Sequence, residues 1–110
     1  SAQHDTSITS ATIDETGNDV LYITHRAKQN DQVFYVNATS SASHVSQKAD
    51  LRPFASTLRK HGITSPYTIE LEKTALTNKN DFFLIFTGAN GKRVSERWMN
   101  FQGRGSLGKD

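Results

Sequence analysis

The chain contains no cysteine, which excludes disulfides, thiolate metal sites and cysteine nucleophiles together. No stretch approaches the roughly 18 consecutive apolar residues that a membrane helix needs. Its four histidines (His4, His25, His44 and His61) include no i, i+4 or H-x-H pair, so no single element carries two histidine ligands. The glycine-bearing segment Thr87–Lys92 (TGANGK) fails as a phosphate loop. Only two residues separate its first Gly from Gly-Lys, and a strand rather than a helix follows. There is no internal repeat. Neither a cofactor nor a metal is expected from these absences.

What remains is a chain of 110 residues, enough for one domain with one core, and 35% hydrophobic, as suits a small antiparallel sheet with a wet face. The sequence begins SAQHDTS without an initiating Met, which fits a removed leader and a trimmed end alike. Together with the absence of cysteine, this sets the expectation of a periplasmic or secreted bacterial protein, with the cytoplasm as the alternative. The net charge of +2 conceals an asymmetry: residues 1–50 hold three Lys/Arg against six Asp/Glu, and residues 51–110 hold ten against five. Such a dipole can orient a partner but is not the dense basic stripe of a dedicated nucleic-acid binder.

The clearest element is a helix over Asp50–Gly62. Leu51, Phe54, Ala55 and Leu58 fall at i, i+3, i+4 and i+7 and form one apolar stripe. Asp50 can accept from the free N–H groups of the first turn, where Pro53 also fits. Arg59, Lys60 and His61 complement the helix dipole at the other end, and Gly62 suits a left-handed stop.

Strands are expected at 7–14, 20–26 and 32–38 before the helix and at 67–72, 81–87 and 93–101 after it. Residues 39–48 read as a polar linker, and residues 1–6 and 102–110 as flexible termini of the single domain. The run DFFLIFT at 81–87 reads as a central strand covered on both faces. Asn90-Gly91 signals a type I′ hairpin turn, and a bulge is expected near Trp98-Met99. The fold class is thus α+β, with an antiparallel twisted sheet of about six strands in the order βββ-α-βββ and the helix packed on one face. A sheet partly closed into a barrel around the helix is the alternative.

Three groupings can carry function, each with an ordinary explanation beside it. Arg93, Arg97, Trp98 and Arg104 combine the residue types that anchor protein partners or stack bases. The ordinary explanation is a core Trp among solvated arginines. His25, Glu70 and Arg97 supply a base, an acid and a phosphate clamp, as in a metal-independent ribonuclease or toxin-like enzyme. Nothing in the sequence requires those three to meet, and His25 is otherwise a solvated strand end. Glu70 and Glu72 share one strand face, roughly 7 Å apart, and could hold a hard cation beside Asp81. Alternation on a wet sheet face explains them without it. The triplet Asn37-Ala38-Thr39 is a chance-level glycosylation signal.

The preferred reading is a small non-enzymatic module, accessory or inhibitor-like, that binds another protein through its last strand. The metal-independent ribonuclease is the runner-up, and a single-strand nucleic-acid binder the third reading.

Overall fold

Side chains of alternating polarity build two antiparallel sheets here rather than one. The computed structural model describes residues 6–13, 19–37, 46–73 and 82–98. The first sheet joins β1 (Thr6–Ile13), β2 (Asp19–Arg26), β3 (Gln32–Asn37) and β4 (Gln47–Lys48), in that order. The second joins β5 (Thr68–Lys73), β6 (Phe82–Thr87) and β7 (Arg93–Trp98). The expected single six-stranded sheet is therefore replaced by sheets of four and three strands, and no barrel closes. The extra strand, β4, comes from the end of the expected linker. Residue 6, assigned to a loose terminus from the sequence, begins β1.

A physical reason for the division lies at the leading end of β5. The N–H groups of Tyr67 and Ile69 face away from β6, yet they bond to side chains of the β2–β3 turn. Asn30 Oδ1 accepts from Tyr67 N at 2.8 Å, and Asp31 Oδ2 accepts from Ile69 N at 2.9 Å. These donors are satisfied without a ladder to the first sheet. The α+β class stands, with both sheets and the helix sharing one core. Leu21, Ile23 and Val33 enter it from the first sheet, and Ile69, Phe82, Leu84 and Phe86 from the second. Phe54, Leu58 and Trp98 complete it.

The helical segment is shorter than expected: a 3-10 turn at Arg52–Phe54 runs into α1 (Ala55–Lys60). Its stripe packs as the spacing requires, with Phe54 and Leu58 buried and Phe54 tilted on Phe86 at 5.6 Å between ring centres. Asp50 accepts from Arg52 N at 3.0 Å, two residues on, as a start signal should. The stop is a Schellman pair: Ile63 N donates to Leu58 O and Gly62 N to Arg59 O, with Gly62 at φ 68°.

In β6, Phe82, Leu84 and Phe86 are buried while Phe83, Ile85 and Thr87 are only half-buried. The strand is central in its sheet, but among the described residues only one face is fully covered. The β6–β7 register runs without a slip from Phe82 opposite Trp98 to Thr87 opposite Arg93. The bulge foreseen near Trp98-Met99 falls partly outside the described residues; a register shift appears instead in β1, at Thr9 between Ile8 and Ser10.

The β6–β7 turn also differs from the type I′ expectation, which demands positive φ at both Asn90 and Gly91. Only Gly91 has it, at 87°. Gly91 N donates to Gly88 O and Gly88 N to Lys92 O, the pattern of a three-residue loop with a left-handed third residue. Asn90 is instead held by the helix stop: its Nδ2 donates to Gly62 O at 2.8 Å, and its backbone N donates to Thr64 Oγ1 at 3.0 Å.

The two turn glycines should therefore respond differently. A Cβ on Gly88 would lie 2.6 Å from Asn90 Oδ1 and 2.7 Å from Thr64 N, whereas one on Gly91 meets nothing within 4 Å. Gly91→Ala should cost only the left-handed penalty of about 1–2 kcal/mol. Gly88→Ala should cost more, because backbone must move. Urea melts of the two variants check this, and equal losses would show that the Thr64 segment does not press on the turn.

Candidate functional site

Three features of the fold could carry function: a buried carboxylate joined to a histidine, a groove beside it, and the outer face of the second sheet. Asp31 is 2% exposed and is the sole buried charged residue among those described. One carboxylate oxygen meets His25 Nδ1 at 2.7 Å and the other accepts from Ile69 N at 2.9 Å. Its own N–H donates to Tyr67 O at 3.0 Å. A carboxylate only accepts, so Nδ1 of His25 carries the proton of this bond. The imidazole is 39% exposed, at the end of β2. Tyr67 packs edge-on against Phe86, and its phenol pKa is raised by burial first and by the charge of Asp31 second.

A groove of about 750 Å³ opens between the β2–β3 turn, β4 and the helix. Leu51, Ala55, Leu58, Ile63 and Tyr67 give it an apolar floor, and Lys48, Asp50, Arg52 and Arg59 bring charge to it. Arg52 is engaged by Asp50 at 2.8 Å, and that hydrogen bond, followed by the charge itself, raises its pKa.

On the second sheet, register sets three rows side by side on the outer face. Glu70 and Glu72 stand on β5, Phe83 and Ile85 on β6, and Arg93, Ser95 and Arg97 on β7. Glu72, Phe83 and Arg97 occupy one rung. The result is an acidic row and a basic row flanking half-buried apolar side chains. β7 is an edge strand, with no described strand beyond it. Because Gly88 and Lys92 are hydrogen-bonded, ladder alternation turns the N–H and C=O groups of Arg93, Ser95 and Arg97 away from β6, toward that edge.

Comparison with protein-family models, with curated proteins and with solved structures finds no match. The site must be read from its own geometry.

Of the residues singled out in the sequence, Arg93 and Arg97 are exposed on the outer face of β7. Trp98 lies on the opposite face, 4% exposed and in the core, so it is not part of that surface. Arg104 lies outside the described residues, as do Asp81 and His44. No hydrogen bond or ion pair joins His25, Glu70 and Arg97. His25 bonds to Asp31, while Glu70 and Arg97 sit on strands separated by β6, roughly 10 Å across two strand spacings. Among the described residues, no group of three His, Asp or Glu side chains could hold a metal ion. Asp31 ends the polar stretch AKQND at 27–31, which by composition alone reads as a solvated turn between two strands. The available signal was an Asp six residues after His25, with Val33 opening an apolar strand just beyond it.

Asp31→Ala removes two hydrogen bonds to a charged group, each worth roughly 1.5–3 kcal/mol, and leaves Ile69 N–H buried without an acceptor. Stability should fall by about 3 kcal/mol or more in urea, with Asp31→Asn intermediate because the amide oxygen still accepts. A loss under about 1 kcal/mol would deny Asp31 its joining role.

Tyr67 gives an alkaline counterpart. With its pKa raised from 10.0, the folded state keeps the phenol proton after the unfolded chain has begun to lose it. Its contribution is thus whole below pH 10 and is lost as pH rises through the folded value. Tyr67→Phe should flatten the decline in melting temperature above pH 10 relative to the parent, and an unchanged slope would contradict this origin.

Proposed function

We propose that the chain is a small protein-binding module whose partner docks on β7, along its edge and over its outer face. The observation that carries this reading is the contrast between the two edges of the second sheet. The edge of β5 is covered at Tyr67 and Ile69 by the β2–β3 turn, whereas no described strand covers β7. An uncovered edge offers a backbone template for an extended segment, and natural folds tend to protect edges that have no use. Arg93 and Arg97 would fix the partner's orientation, with Phe83 and Ile85 providing apolar contact between them and the acidic row. Trp98 plays no direct part in this surface. We place such an accessory or inhibitor-like module in the periplasm or outside the cell, with the cytoplasm as the alternative, since a cysteine-free chain fits either.

One observation favours the enzyme reading. The buried Asp31 orients His25 and fixes its tautomer, as a general base requires. Against it, Asp31 also bonds β5, which gives the pair a structural use, and neither Glu70 nor Arg97 approaches His25 through a hydrogen bond. The nucleic-acid reading loses its stacking aromatic with Trp98 in the core.

The double variant Arg93→Ala/Arg97→Ala should keep the fold, since exposed charges contribute about 1 kcal/mol or less. It should lose the protein that the immobilised wild type retains specifically. Retention unchanged by the double variant would move the site off β7. Hydrolysis of generic RNA without added metal, abolished in His25→Ala, would replace the binding reading with the ribonuclease.

A further inference from the structure

The groove between β4 and the helix has a use that the β7 surface does not account for. Its floor is apolar, at Leu51, Ala55, Leu58, Ile63 and Tyr67. Its volume, about 750 Å³, lies within the range of built ligand clefts. The charges around it do not cancel. Asp50 is paired with Arg52, whereas Asp31 keeps its negative charge while hydrogen-bonded to His25 and Ile69 N. Lys48 and Arg59 remain, with no ion-pair partner among the described residues. Lys48, Arg52 and Arg59 outnumber Asp31 and Asp50 by one, so the groove is left with one positive charge in excess over an apolar base.

The backbone of β4 adds a second feature. Ala49 N donates to Val33 O at 2.8 Å, and Phe34 stands opposite Lys48. Alternation along an antiparallel pair then turns the N–H and C=O groups of Lys48 away from β3. Lys48 lines the groove, so it offers one donor and one acceptor in the spacing of a strand. A compact anion would use the cations alone. An extended chain uses the cations, the edge backbone and the apolar floor together.

We propose that this groove binds an extended acidic segment of a partner protein in which apolar side chains alternate with carboxylates. The apolar side chains fill the floor along Ala55 and Leu58, and the carboxylates meet Arg59 and Lys48. Arg59 is suited to this because its planar guanidinium can take a carboxylate through two parallel hydrogen bonds. The inference does not rest on the β7 reading.

The test is fluorescence anisotropy with a labelled peptide alternating Leu and Glu, against the same peptide with Gln or Lys in place of Glu. The Leu–Glu peptide should saturate the full chain with a Kd below about 1 mM, weaken as salt is raised, and bind at least about tenfold more tightly than the Lys peptide. Arg59→Gln should weaken it by about tenfold or more with the melting temperature nearly unchanged, since Arg59 is exposed and Gln puts no anion at the helix end. Ala55→Trp, which fills the floor from the helix, should do the same. Arg93→Ala/Arg97→Ala should leave it unchanged, which separates failure here from failure at β7. Equal affinity for the Glu and Lys peptides, no saturation, or indifference to both groove variants would each overturn the proposal.

Discussion

Asp31 is the constraint on which the arrangement of the two sheets depends. A carboxylate at 2% exposure must be paired, because an unpaired buried charge costs several kcal/mol. It finds partners in two places: His25 at the end of β2 and the N–H of Ile69 in β5. Each partner belongs to a different sheet, so satisfying the carboxylate fixes where the second sheet starts relative to the first. Asn30 repeats the device one residue earlier by accepting from Tyr67 N. The β2–β3 turn is therefore both a hairpin connection and the cover of a sheet edge. The cores follow from this placement, since Ile69, immediately beside the bonded N–H, packs among the buried residues shared by the two sheets.

Local chemistry was well legible in the sequence, and pairing between distant segments was not. The helix stripe at Leu51, Phe54, Ala55 and Leu58, the glycine stop at Gly62 and the alternation of 67–72 all depend on neighbours within a few residues. Those rules carry over to the fold directly. The helix came out shorter because its first turn winds as a 3-10 turn over Arg52–Phe54, a distinction that spacing alone does not make. The split into two sheets escaped the sequence because it rests on Asp31 reaching Ile69, a separation of 38 residues. A turn such as AKQND announces a reversal, and its Asp reads as solvated until the partner strand is in place.

The same limit explains the site. Arg93 and Arg97 alternate with Val94 and Trp98, and alternation alone separates exposed from buried positions once the strand's start is known. The aromatic–basic composition had suggested one cluster, whereas the period of two divides it between faces. His25 could be noticed as a histidine within a strand, but its partner could not, because Asp31 lies beyond the turn and its role depends on burial. The turn at Asn90-Gly91 is a further case. Local signals favour type I′, yet Asn90 is recruited by Gly62 O and Thr64 Oγ1 and so keeps a negative φ. Tertiary hydrogen bonds from the helix stop overrode the intrinsic turn preference.

These features leave the molecule unevenly finished, and the unevenness is what bears on function. β5 is paired with β6 on one edge, and the leading end of its other edge is bonded by the side chains of Asn30 and Asp31. Among the described residues β7 has one ladder, and β4 is two residues long with its outward pair at Lys48 beside an apolar groove. Short edge strands and edge charges are the usual defences against indiscriminate pairing. β4 carries the first of these, and the arginines of β7 carry the second. In the binding readings proposed above, the same arginines and Lys48 would attract an acidic extended segment.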